Sequence, residues 1–299
     1  MSLRIFIAID SSDASHEALR FIRSIAPVGS VVRLVSVVPG EASILPPGDA
    51  TIPVLESLHD ELVQDAKGVL SDAKDYLAHA GIQAEAQTIE LPGRDTHIGH
   101  TIVTAAASWH AELVVVGARQ HRQWLRWLEG SVSDALMRLL RCPLLIVPRA
   151  WSRAERDRPA LILFAVDSAE DARHCIAYGL RLAMPASHLR AVNVAAPAPV
   201  WPGEHNGPDV DRGAKAIAAA KQLLEQASGN VTTATIGAAE TSDDIARVLV
   251  REAAERDADL LVMGMHSGEG LKHLVIGSVA KRVAHLTRTP LLLVDIPGS

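Results

Sequence analysis

Short runs of β-branched and aliphatic residues alternate along this chain with longer stretches in which apolar residues recur every three or four positions. The first kind reads as buried strand and the second as amphipathic helix. Their alternation is the pattern of a parallel sheet with crossover helices. Arg4–Ile9 predicts a first strand, and between Ser12 and Ala26 the residues Ala14, Ala18, Leu19, Ile22 and Ile25 share one helical face. Val31–Val38 predicts a second strand. Pro39 to Pro53, with four prolines and two glycines, predicts a loop, and a helix near Leu55–Ala80 is stopped by Gly81. Ala84–Leu91 predicts a third strand, Thr96–His110 a helix, and Leu113–Val116 a fourth strand ending at Gly117. A helix is expected from Gly130-Ser131 to near Arg141, and a fifth strand over Pro143–Val147.

The pattern then starts again, with strands expected near 160–166, 188–194, 231–236, 260–263 and 291–294. Residues 111–147 and 258–294 are near copies at a constant offset of 147, which sets Gly117 on Gly264 and Gly130-Ser131-Val132 on Gly277-Ser278-Val279. The openings, 4–26 and 160–183, match at an offset of 157 and set Asp10 on Asp167. Such a period far exceeds the 20–50 residues of solenoid repeats. It predicts two domains, 1–149 and 159–299, joined by the charged, aperiodic segment Arg149–Pro159. The expected fold class is α/β: two tandem doubly wound five-stranded parallel sheets, whose ligand crevices lie at the carboxyl ends of the strands.

Composition narrows the partners. The 299 residues are 48% apolar with a net charge of −6, so each half can bury a full core. Residues 1–150 carry 13 Lys/Arg against 17 Asp/Glu and the remainder 16 against 18, which argues against a nucleic-acid partner. Cys142 and Cys175 occupy unrelated positions in the two copies and suit a reducing compartment. The opening apolar run is too short for a signal or spanning segment, so a cytoplasmic protein without a membrane partner is expected.

The glycines are the candidate site. In each copy a strand stops at a glycine, Gly117 or Gly264, and thirteen residues later a Gly-Ser opens a helix. Free N–H groups and the positive helix end make a phosphate site there, although a tight turn and an N-cap serine explain the same residues. Asp10 and Asp167, each closing a first strand, can accept a hydrogen bond from a ribose hydroxyl or cap the next helix. Neither the dinucleotide glycine pattern nor a P-loop nor G-x-S-x-G is present, and no Ser/His/Asp set recurs. His97-Ile98-Gly99-His100 spells the HIGH tetrapeptide of class I synthetases, but it follows the third strand rather than the first. Only its isoleucine, expected in the core, recurs in the second copy, as Ile245. His97, His100 and His110 show no fourth metal ligand.

These residues together resemble the universal stress protein family in a tandem, two-domain form, over essentially the whole chain. The resemblance rests on the openings Ala8-Ile9-Asp10 and Ala165-Val166-Asp167, and on the second-strand ends Ser36-Val37 and Asn193-Val194. It also rests on the A-[ED]-L-x-V-x-G run and on the motif G-x2-G-x9-G-[ST]. It implies an adenine nucleotide α-hydrolase-like fold and a stress-associated regulator that binds ATP, or AMP or ADP, with Mg2+ beside the phosphates. It implies that the aspartate and second-strand valine hold the adenosine, while the motif holds ribose and phosphates. Both copies depart at the motif's second glycine, which is Gln120 in the first and Ser267 in the second.

Gln120 brings a long side chain into a place of close approach, and Trp124 and Trp127 follow it. Ser267 intrudes less and is followed by Gly268 and Gly270. The expected site is therefore Asp167, Val194, Gly264, Ser267, Gly277, Ser278 and Val279. A weaker one is formed by Asp10, Val37, Gly117, Gly130, Ser131 and Val132, with Arg119, Arg122 and Arg126 nearby. The alternative is a protein-interaction module that binds no nucleotide; an ATPase or self-phosphorylating enzyme lacks an obvious general base. The family's fifth strands pair across a dimer, which implies that the apolar closing strands pair within this chain as a pseudo-dimer, with a homodimer of chains beyond that.

Overall fold

The computed structural model describes residues 2–40, 52–91, 97–118, 132–151, 159–195, 208–238, 241–265 and 276–295. It divides into two compact units, Met1–Arg149 and Ala150–Ser299. The first runs β1 (Arg4–Ala8), α1 (Asp13–Ile25), β2 (Val31–Val38), α2 (Ile52–Ala78), β3 (Gln83–Glu90), α3 (Ile98–Ser108), β4 (Leu113–Ala118), α4 (Val132–Leu139) and β5 (Leu144–Pro148). The second runs β6 (Leu161–Ala165), α5 (Ala169–Gly179), β7 (His188–Ala195), α6 (Pro208–Ala227), β8 (Val231–Ala238), α7 (Ser242–Glu255), β9 (Leu260–Gly264), α8 (Ser278–Leu286) and β10 (Leu291–Val294).

Within the first unit the strands are parallel in the order β3-β2-β1-β4-β5, and within the second in the order β8-β7-β6-β9-β10. Ile5, Phe6, Ile7, Leu113, Val114 and Val115 have no exposed surface. Central parallel strands covered on both faces have to read as unbroken apolar runs, and these do. In the first unit α1 packs with α2 and α3 with α4; in the second the pairs are α5 with α6 and α7 with α8. The outer strand β3 is polar and mostly exposed, with Glu85 and Glu90 on it, which discourages edge-to-edge pairing.

Two boundaries differ from the expected ones for physical reasons. Helix α2 already begins at Ile52, so Pro53 lies in its first turn, where the missing N–H has no intrahelical partner to lose. Strand β4 does not stop at Gly117 but runs on through it, pairing Gly117 with Val147 and Ala118 with Pro148.

Several repeated residues serve the fold. Glu112 accepts the N–H of Arg4 through Oε2 at 2.9 Å, and its counterpart Asp259 accepts the N–H groups of Ala160 and Leu161 at 2.8 and 2.9 Å. The acid before each fourth strand thus ties down the start of the first. Arg33 and Arg190, matched at the 157 offset, are used differently. Arg33 lies over the Trp109 ring at 5.0 Å, opposite Arg4 at 4.5 Å, and pairs with Glu85. Arg190 is buried and donates to Glu252 at 2.9 Å through Nε, with a contact at 2.8 Å through Nη2.

Removing one partner of a buried pair leaves the other charge without compensation. Glu252→Ala should therefore lower unfolding free energy by about 3–5 kcal/mol in denaturant titration, and the double change Arg190→Met with Glu252→Leu should recover most of it.

Candidate functional site

In the order β3-β2-β1-β4-β5 the chain leaves β1 and β4 for different helix layers, and a crevice opens at their carboxyl ends. Asp10 lies two residues past β1, Val37 is the penultimate residue of β2, Gly117 is on β4 and Val132 opens α4. Asp167, Val194 and Gly264 hold the matching places in the second unit, and Gly277, Ser278 and Val279 open α8. Gly130, Ser131, Gln120, Trp124, Trp127, Ser267, Gly268, Gly270 and the three loop arginines lie outside the described residues.

In the first unit Asp10 is bound by its own helix start. Its Oδ1 accepts from the N–H of Ser12 at 3.0 Å, the hydroxyl of Ser12 at 2.5 Å and the hydroxyl of Ser15 at 2.7 Å. Ser12 also caps α1, accepting from the N–H of Ser15. At Gly117 the space that a side chain would take is filled by another backbone. A Cβ at this glycine would run into the Ala14 carbonyl and come within 2.7 Å of the Ser15 nitrogen, so its bare main chain admits α1.

The HIGH tetrapeptide also resolves into packing. His97 takes the N-cap position of α3 without a side-chain cap, and both histidines are exposed. Ile98, expected in the core, is 40% exposed; the buried member is Gly99, seated against Ala135 of α4. Its counterpart Ala246 is buried too. His110 adopts a left-handed backbone, φ 57°, past the helix end. No cluster of three or more His, Cys, Asp or Glu fit to hold a metal occurs among the described residues.

In the second unit the strand-end aspartate has other partners. Ser12 and Ser15 are matched by Ala169 and Ala172, so no hydroxyl from those positions reaches Asp167. Instead the Arg212 Nη2 lies 3.2 Å from Asp167 Oδ2, with the two side chains 40% and 64% exposed. Ser168 caps α5 by accepting from the N–H of Asp171 at 3.1 Å. Burial pushes the Asp171 carboxyl above its usual range; Asp167 adds to that, while Ser168 and Arg212 oppose it.

Asn193 Nδ2 donates to the Val166 carbonyl at 2.8 Å and fixes the strand end before Asp167. Beside it the ladder shifts register between Val194 and Ala195, where Gly237 of β8 is the extra residue. Gly277 is buried, donates its N–H to Met265 at 2.9 Å and begins α8 with no side-chain cap. Ser278 donates its hydroxyl to that of Ser242 at 2.9 Å, joining the starts of α8 and α7. Asp243 of α7 holds Arg247 at 2.7 Å and also Arg282 of α8. The hydrogen bond from Arg247 chiefly draws its carboxyl below the usual range.

The profile of the universal stress protein family matches residues 1–148 and again residues 161–295. The chain belongs to the universal stress protein family. Universal stress protein Rv2623 of Mycobacterium tuberculosis is 28% identical over 315 aligned residues, covering 98% of this chain and 96% of that protein. Universal stress protein YxiE of Bacillus subtilis is 30% identical over 158 residues, covering 48% of this chain and 97% of its own length. A solved universal stress protein from Archaeoglobus fulgidus DSM 4304 superposes with a TM-score of 0.67 at 15% identity, covering 99% of this chain and 97% of that one, a likeness of fold.

Within this universal stress protein, sequence reasoning passed over Ser12, Ser15, Arg212 and Asp171. The loss of both serines at Ala169 and Ala172 was readable from the repeat, and it signals that the second aspartate needs another partner. Arg212 has no such signal, because its 45-residue separation from Asp167 closes only in the fold. Two predictions follow from this geometry. Gly117→Ala should destabilise the first unit by about 1–3 kcal/mol in denaturant unfolding, as overpacking does. An unchanged stability with altered ligand binding would contradict the packing role. At Asp171 the folded protein holds its proton to higher pH than the unfolded chain does, so the ionised carboxylate opposes folding above that window and not below it. The stability of Asp171→Asn relative to the parent should therefore rise as pH is raised through and above the unfolded carboxylate value of about 3.9 in paired thermal melts.

Proposed function

We propose that this universal stress protein is a stress-associated regulator that holds ATP, or AMP or ADP, in its second unit. The observation that carries the reading is the contrast between the two strand-end aspartates. Asp10 accepts from Ser12 and Ser15, whereas among the described residues Asp167 is an exposed carboxylate held by a weak surface ion pair with Arg212. In this reading Asp167 accepts from the ribose, the end of β7 at Val194 meets the base, and Gly264 lies beneath the ribose. The N–H groups of Ser278 and Val279 face the phosphates, with Ser267 alongside, while Gly277 gives its own N–H to Met265 and keeps the approach open. A buried glycine opening a helix without a side-chain cap fits a phosphate, because the helix end is positive and no Cβ intervenes. ATP would bring Mg2+ held by its own phosphates and water, the usual arrangement for this ion.

The first unit fits the interaction-module reading better, since its Asp10 is already committed. Catalysis draws no support from Cys175, whose thiol burial pushes far up, a packing residue rather than a nucleophile. Both cysteines are free, which fits a cytoplasmic setting.

Calorimetric titration with ATP tests the assignment. Gly277→Val should lose at least tenfold in affinity, about 1.4 kcal/mol, and Asp167→Ala should weaken ATP and adenosine alike. Asp10→Ala and Gly130→Val should leave ATP affinity near the parental value. Equal losses from the Gly130 and Gly277 variants would contradict the asymmetry, and no binding by the parent at millimolar ATP would favour an interaction module throughout.

A further inference from the structure

We propose that Arg212 gates the second crevice, holding Asp167 until a ligand hydroxyl takes that carboxylate and then swinging out to water. The inference rests on the nucleotide reading of that crevice and adds to it a residue that no motif marks.

Two observations carry it. First, the same strand-end aspartate is held in two ways. In the first unit two hydroxyls of the following helix grip Asp10. In the second unit both are replaced by alanines, and a guanidinium from a different helix stands 3.2 Å from Asp167. A serine that belongs to the helix cap cannot leave without fraying the helix, whereas a guanidinium on a long side chain can swing.

Second, the root of that side chain is fixed. Gly213, the next residue of α6, sits so close to Asn193 that a Cβ would meet its Oδ1 at 2.5 Å, and Asn193 is itself bonded to Val166. The backbone of α6 is thereby held against the end of the strand that leads into Asp167, while the exposed guanidinium remains able to change partner.

Exposed ion pairs are weak, so a ribose hydroxyl can displace this one.

Adenosine gives the test, because it carries no charge. Its affinity for a site without an ion pair is indifferent to salt, but if it must displace one, salt weakens the competitor and binding tightens. Calorimetric titrations of the full chain at about 20 mM and about 500 mM NaCl compare the two cases. Asp167→Ala identifies the heat that belongs to the second crevice. The parent should bind adenosine about two- to threefold tighter at high salt. Arg212→Gln should bind about two- to fivefold tighter than the parent at low salt and lose the salt response, while Arg212→Lys keeps it.

An Arg212→Gln protein with parental affinity and parental salt response would overturn the gate and leave the nucleotide reading standing. A parent that binds neither adenosine nor ATP would remove the nucleotide reading and the gate together.

Discussion

Helix α1 lies on strand β4 with no side chain between them, because Gly117 faces the carbonyl of Ala14. Much of the first crevice follows from that contact. A helix set so low against the sheet brings its first turn level with the end of β1, and Ser12 and Ser15 then reach the carboxylate of Asp10. Had β4 carried an alanine there, the helix would stand off and the serines with it. The same glycine that makes room for the helix therefore decides what the neighbouring aspartate is bonded to, two strands' connections away in sequence.

Duplication lets the two units answer one structural demand differently. A carboxylate at the end of a buried strand needs donors. In the first unit they come from the next few residues and are part of the helix cap, so the group is permanently engaged. In the second they come from α6, on a side chain whose position depends on Gly213 fitting Asn193. Likewise the matched arginines Arg33 and Arg190 serve a stacked aromatic in one unit and a buried carboxylate in the other. Where the backbone demand is shared, as at Glu112 and Asp259, the chemistry has stayed the same.

The alternating pattern was enough to name the α/β class, the order of elements and the duplication, because a parallel strand buried on both faces has few ways to be written. Ends of elements were harder. Gly117 reads alike whether a strand stops, turns or is crossed closely by a helix, and only the position of Ala14 distinguishes them. Ile98 was misread for a similar reason. Its hydrophobicity suggested the core, yet the helix meets its neighbour through Gly99, and a glycine at a close helix contact leaves no hydrophobic trace. At the candidate site the two aspartates were visible as repeats. Arg212 was not, since nothing local ties it to Asp167.

The hydrogen bond from Arg4 to Glu112 joins residues 108 apart, and that from Leu161 to Asp259 joins residues 98 apart, each closing the greater part of its own unit. A ribosome adding about 5–20 residues per second needs roughly 10–30 seconds to make one unit's length, whereas mixed α/β domains of this size fold far faster. The first unit thus has all its strands, and time to pair them, before the strands of its near copy exist. For a chain that carries one fold twice, the order of synthesis keeps each strand from choosing its partner in the wrong copy.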